Sequence, residues 1–240
     1  MLYNDDCLNV LKKLSHNSVD LIFADPPYFL SNDGLSIHSG KVVSVNKGDW
    51  DKKQNYEDVS LFTQNWIDES YRVLQNGGSI WISGTQHNIF DIRQAMLKAG
   101  FKIMNIVIWH KVDPPPLIYK TRFKYSYEFI IWGAKGKCKT FNYDIMYKDA
   151  GQEMHDVWNI AAVGMSEKKY GYHPTQKPEE LLDRIIRSTS KEGEIVLDPF
   201  MGSGTSCFVA KRLGRKCIGI ELDSRFFNIA ETRVKSLELK

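Results

Sequence analysis

The chain has little of what several function classes require. Its four cysteines, Cys7, Cys138, Cys207 and Cys217, show no CxxC spacing, and none of the six histidines stands at a metal-ligand interval from them, which excludes the common zinc patterns. No apolar run approaches the roughly 20 residues of a membrane span. Asp5 and Asp6 stand where a signal peptide would be basic and then apolar. A soluble cytosolic protein with reduced thiols and no metal is expected. Charge of one sign is also scarce, since a net +3 over 240 residues is too mild to announce nucleic acid by itself. Its distribution says more: residues 102 to 140 hold eight lysines and arginines against Asp113 and Glu128, a local +6 that leaves the remainder at −3. With Tyr119, Phe123, Tyr125 and Tyr127 interleaved, that stretch fits a surface that neutralises phosphates.

At this length one well-buried domain is expected. Leu2-Tyr3 reads as a strand, 7 to 14 as a helix and Val19 to Ala24 as a strand. Residues 30 to 56 lack apolar periodicity, the mark of a functional or mobile segment, and are expected to form a substrate loop. A helix is predicted over 61 to 74, stopped by Asn76-Gly77-Gly78, and a buried strand over 79 to 83. A helix over 88 to 98, stopped by Gly100, and a strand over 103 to 109 follow. The chain leaves the core at Pro114-Pro115-Pro116, returns through 128 to 132 and departs again over 133 to 172. The last third alternates helix (178 to 188), strand (195 to 198), helix (205 to 213), strand (217 to 221) and a helix from Ser224. Such alternation predicts an α/β fold with a doubly wound, mostly parallel sheet.

Two turns after strands carry chemistry. Asp198 ends one strand and leads through Pro199, Phe200, Met201, Gly202, Ser203 and Gly204 into a helix at Thr205, as open sheets do where they bind nucleotide-like ligands. Glu221, about 20 residues on, ends the next strand, where a carboxylate accepts from two ribose hydroxyls. The turn has no third glycine and no Walker lysine, which argues against a dinucleotide and leaves S-adenosylmethionine. The other turn is Asp25-Pro26-Pro27-Tyr28. A base amine is a poor nucleophile because its lone pair is delocalised into the ring. Asp25 and the Pro26 carbonyl can each accept one of its hydrogens and localise that pair. Tyr28 offers a ring on which an extruded base stacks. No Pro-Cys follows a strand, so the covalent route to carbon methylation is not indicated.

Together with 43 to 51 (VSVNKGDWD), 81 to 89 (WISGTQHNI) and 173 to 178 (HPTQKP), these turns make the chain resemble, over nearly its whole length, the permuted beta group of DNA amino-methyltransferases, in particular the DpnA-type and HinfI-type adenine enzymes. The resemblance implies one circularly permuted methyltransferase domain with a target-recognition region inserted at about 111 to 172. It implies cofactor contacts from Asp6, Cys7, Asp25, Thr175, Gln176, Lys177, Asp198, Phe200, Gly202, Ser203, Gly204, Thr205 and Glu221, and no chemistry for His173. Adenine N6 is preferred over cytosine N4 because the related cytosine enzymes more often carry serine in place of the aspartate.

DNA contacts are expected from Lys47, Trp50, Lys111, Arg122 and Lys124, phosphate being the commoner target of any one basic residue. Asp113 before Pro114 and Leu117 after Pro116 stand where the resembled enzymes usually have asparagine, so the segment itself does not specify GATC. Cytosine N4, an RNA base amine, or a DNA-binding protein of this fold without catalysis remain as alternatives. So do single-stranded or duplex substrate, a homodimer and a companion restriction nuclease. If the 30 to 56 loop closes over the base, Trp50→Ala weakens DNA binding more than cofactor binding. Equal loss of both in parallel titrations would count against it.

Overall fold

In the computed structural model of the protein, the described residues are 1–29, 35–38, 41–44, 55–114, 116 and 121–238, and of 35–38 and 41–44 the backbone alone. In chain order the elements are β1 (Leu2–Asn4), α1 (Cys7–Leu11), β2 (Val19–Ala24), β3 (Leu35–His38), β4 (Lys41–Ser44), α2 (Tyr56–Val73), β5 (Leu74–Gly84), α3 (Ile89–Ala99), β6 (Lys102–Lys111) and β7 (Tyr127–Ala134). They continue with α4 (Tyr143–Ala150), β8 (Val157–Ile160), a 3-10 turn (Met165–Lys168), α5 (Glu179–Thr189), β9 (Ile195–Asp198), α6 (Thr205–Arg212), β10 (Lys216–Glu221) and α7 (Ser224–Lys235).

Eight strands form one sheet in the order β1-β10-β9-β2-β5-β7-β6-β8. Every pairing is parallel except those of β7, which runs antiparallel to β5 and β6. Side chains alternate across the strands, so both faces are apolar. Leu21, Phe23, Trp81, Trp132 and Val196 face α5, α6 and α7, whereas Ile22, Ala24, Ile80, Ile82 and Leu197 face α1, α2 and α3. On the first face Trp81 stacks on Trp132, with centroids 5.2 Å apart. The expected doubly wound sheet is therefore present, and the strand that leads to Asp25 precedes the one that leads to Asp198.

Four expectations differ. Within the 30 to 56 stretch, β3 and β4 pair antiparallel, so its described part is not irregular. Helix α2 begins at Tyr56, because the Asn55 side chain caps it by accepting from Asp58 N at 2.8 Å. The helix does not end at the glycines; Leu74 passes straight into β5, and Gly77 and Gly78 belong to that strand. Gly77 adopts φ +83° and a Cβ there would meet Lys139 Cβ at 2.8 Å, so the glycine serves the close approach of 135 to 139. The 133 to 172 excursion holds α4 and an edge strand, β8, whose Trp158 packs 5.9 Å from Trp81.

Three side chains also depart from expectation. Lys135, counted in the basic stretch, is buried and donates to Asn17 Oδ1 (2.8 Å), Tyr71 O (2.7 Å) and Leu74 O (2.8 Å), two of these being carbonyls at the end of α2. Cys207 and Cys217 are joined by a disulfide where α6 packs beside β10, their Cα atoms 5.3 Å apart. Their spacing in the chain gave no such signal. No helix of the described residues is long and apolar enough to cross a membrane. Gly77→Ala is expected to cost about 1–3 kcal/mol of unfolding free energy in a urea titration, from positive φ and overpacking together.

Candidate active site

Leu21 pairs with Val196 and Ile22 with Leu197. This register brings the carboxyl ends of β2 and β9 side by side, and the turns that leave them, at Asp25 and Pro199, open onto one cavity of ≈ 550 Å³. Here the strand order reverses: the chain proceeds from β2 towards β5 on one side and from β9 towards β10 on the other. Open sheets leave their crevice at such a point. Asp6, Cys7, Thr175, Phe200, Gly202 and Glu221 line the cavity together with the whole Asp25–Tyr28 turn.

Glu221 Oε2 accepts from Gly202 N at 2.9 Å and Oε1 from Asp223 N at 2.8 Å. These bonds fix the carboxylate and leave each oxygen a further acceptor position, as a ribose diol requires. Burial pushes Glu221 above the usual carboxylate range. Asp6 caps α1 through bonds to Leu8 N (2.9 Å) and Asn9 N (3.3 Å), and burial pushes the Cys7 thiol up to about 12. A lining that combines apolar Phe200 and Ile220 with the acids Asp5, Asp6 and Glu221 fits a flat nucleoside that carries a cationic sulfonium.

Several residues of the predicted contacts do not line this cavity. Asp198 is turned into the protein, where it accepts from Phe200 N (2.9 Å) and from the Ser206 hydroxyl and so braces the turn from behind; burial pushes it up to about 7. Ser203, Thr205 and Gln176 line a smaller recess of ≈ 30 Å³ behind the turn. Gly204, at φ +77°, backs onto α7, where a Cβ would meet that of Ala230 at 2.7 Å. Its role here is helix packing. Lys177, expected at the methionine end of the cofactor, bonds Asp25 Oδ2. Lys111, expected on DNA, turns inward to Glu128 Oε1 at 2.6 Å and lies 5.0 Å from the centre of the Trp109 ring. Arg122 and Lys124 are exposed, and Arg122 rests over Tyr125 at 5.0 Å. Lys47 and Trp50 lie outside the described residues.

Around Asp25 the structure assembles more than the tetrapeptide. Oδ1 accepts from Tyr28 Oη at 2.8 Å and from the Ser83 hydroxyl; Lys177 also lies 3.5 Å from Glu128 Oε2. Burial, then the Asp25 and Glu128 charges, lift the Tyr28 phenol well above its ordinary value, so it remains a donor. Burial opposes the charge on Lys177, but Asp25 and Glu128 outweigh it and hold the lysine above its ordinary value. Burial likewise opposes ionisation of Glu128, yet Lys177 and Lys111 bring it down to about 2. The sequence alone gives Ser83 no role and places Glu128 in the target-recognition segment. The available signals were a serine at the end of a buried strand and an acid opening an apolar one.

His173 is the other residue left without chemistry. It stands edge-on to Phe226, centroids 4.2 Å apart, and its Nδ1 accepts from Thr175 N at 3.3 Å. A Cβ on Gly202, which adopts φ +52°, would meet its Nε2 at 2.9 Å, so the glycine makes room for this ring. Burial lowers His173 to about 4, against the pull of Asp25. The unfolded chain then binds the extra proton first, and the contribution of neutral His173 to stability is lost as pH falls from about 6.5 towards 4. The stability gap between wild type and His173→Gln is expected to narrow over that window in urea titrations; a gap constant with pH would contradict the assignment.

The comparisons with known proteins agree with this geometry. A family model described as DNA methylase, of the N6 and N4 type, matches residues 19–232. The Type II methyltransferase M2.DpnII of Streptococcus pneumoniae is 45% identical over 240 residues, covering 98% of this chain and 90% of its own. The Type II methyltransferase M2.MboI of Moraxella bovis is 45% identical over 235 residues, covering 97% and 86%. The solved M1.HpyAVI–SAM complex matches with a TM-score of 0.73 at 26% identity over 98% of both chains. PvuII DNA methyltransferase, cytosine-N4-specific, matches with a TM-score of 0.79 at 18% identity over 97% and 85%, which shows the shared fold. The chain thus belongs to the N6 and N4 family of DNA methylases, site-specific enzymes that take their methyl group from S-adenosylmethionine.

Proposed function

We propose that the acceptor is adenine N6 in a short DNA site, with GATC the first sequence to test. The observation that supports this reading is the Asp25 carboxylate on the wall of the cavity that Glu221 and Phe200 also line. Bound S-adenosylmethionine supplies an electrophilic methyl group. Glu221 is the residue to hold its ribose. Asp25 and the Pro26 carbonyl accept the two amine hydrogens, which turns the nitrogen lone pair out of conjugation. A carboxylate with only 15% of its side chain exposed is out of reach of a stacked base, so the target must be extruded, with the ring of Tyr28 beside it. The Type II methyltransferase names of the relatives from Streptococcus and Moraxella favour a restriction-linked role.

The same reading assigns 111 to 172 to target recognition, Arg122 and Lys124 to phosphate, and the protein to the bacterial cytosol. A homodimer and a companion endonuclease are compatible with it. Incubation with S-adenosylmethionine and unmethylated genomic DNA, then nucleoside digestion and mass spectrometry, is expected to yield N6-methyladenine. N4-methylcytosine would replace the adenine reading, and no modified base would sink both. Asp25→Ala is expected to abolish turnover while cofactor binding persists. Arg122→Ala is expected to reduce the slope of log K against log salt by about one phosphate contact, measured by fluorescence anisotropy on duplex DNA.

A further inference from the structure

A carboxylate offers about four lone-pair positions, two on each oxygen. Among the described residues, Ser83 and Tyr28 donate to Oδ1 of Asp25 and Lys177 donates to Oδ2. One position remains, on Oδ2, next to the ammonium. An amine hydrogen that bonds Asp25 without displacing a donor must take it, so the place of Lys177 decides where the amine can bind.

That place is held from a second side. Lys177 is buried, with 7% of its side chain exposed, and its ammonium lies between Asp25 Oδ2 and Glu128 Oε2, the latter at 3.5 Å. Glu128 is in turn held by Lys111 through Oε1 at 2.6 Å and approached by Tyr28 Oη at 3.5 Å. It sits on a strand paired on one side, opposite Trp109 on β6, and not on a loop that can give way. Removal of its charge would leave Asp25 as the only carboxylate on the ammonium among the described residues. Lys177, already bonded to Oδ2, would then be free to swing about that oxygen into the open position and compete with the amine.

We propose that Glu128 is a positioning residue for methyl transfer: by drawing Lys177 to one side of Asp25 Oδ2, it keeps a single acceptor position open and so sets the direction from which the target amine approaches. The inference rests on the reading of Asp25 as the acceptor for that amine. Its signature is a loss of rate without loss of binding, because neither the Glu221 end of the cavity nor the exposed Arg122 and Lys124 depends on Glu128.

The test uses the full chain, tritium-labelled S-adenosylmethionine and unmethylated genomic DNA, with titrations for both ligands. Glu128→Gln is expected to lower kcat by about tenfold or more, with both dissociation constants within about threefold of wild type. Glu128→Asp, which keeps the charge, is expected to recover part of the rate. Ser83→Ala leaves the charges alone and opens a second position on Oδ1; it too is expected to lower kcat with binding retained. This arm decides the matter should Glu128→Gln fail to fold. Wild-type kcat in Glu128→Gln, or parallel loss of rate and both affinities, would overturn the proposal, as would wild-type kcat in Ser83→Ala. Asp25→Asn under the same conditions separates the two levels. If it also turns over normally, the reading of Asp25 fails; if it alone is dead, only the role of Glu128 fails.

Discussion

The parallel pairing of β2 with β9, Leu21 against Val196 and Ile22 against Leu197, sets the ends of two strands that are distant in sequence next to each other. The rest of the site depends on that register. A slip by one residue would turn Leu21 and Phe23 towards α1–α3 and Ile22 and Ala24 towards α5–α7, exchanging two differently shaped packing surfaces. It would also shift the Asp25 turn along the sheet relative to Glu221. Burial on both faces therefore does more than stabilise the fold. It fixes the distance between Asp25 and Glu221.

Electrostatics divides the cavity into two regions with different rules. At the Glu221 end, one carboxylate is held by two backbone N–H groups and keeps acceptor capacity for a ligand. At the Asp25 end, two carboxylates and two lysines neutralise each other in a buried cluster, with Ser83 and Tyr28 completing the bonds. A buried charge needs such partners, since desolvation otherwise favours the neutral form. The partners come from β5, β6, β7 and the segment before α5, so four separate stretches of chain meet in the cluster around Asp25.

Much of this was legible in the residues. The apolar runs at 19 to 24, 79 to 83 and 195 to 198 are strands, and the glycine turn after Asp198 and the acid at Glu221 occupy one cavity edge as their spacing implied. What escaped had physical reasons. Gly77 and Gly78 look like a helix stop, yet Gly77 serves the close approach of 135 to 139 and Gly78 that of Leu74 and the Asp20 carbonyl, contacts that only the folded sheet creates. Strand β8 has four residues and one edge partner, too short for periodicity to reveal. Lys111, Lys135 and Lys177 look like solvated or ligand-facing cations, and all three turn out to be held by carboxylates or carbonyls brought in by other elements.

Taken by itself, then, the sequence determined the fold class, the two turns that carry chemistry and their order, because each depends on residues adjacent in the chain. Hydrophobic period, proline and glycine act locally. The tertiary structure alone decided which partners those turns receive. Asp198 braces its turn from behind, Gly204 backs onto α7, Lys177 bonds Asp25, and Glu128 and Ser83 join it from β7 and β5. The reason is that a side chain's charge and hydrogen bonds are settled by whatever the sheet register brings within about 3 Å of it, and that register is a property of strands far apart in sequence.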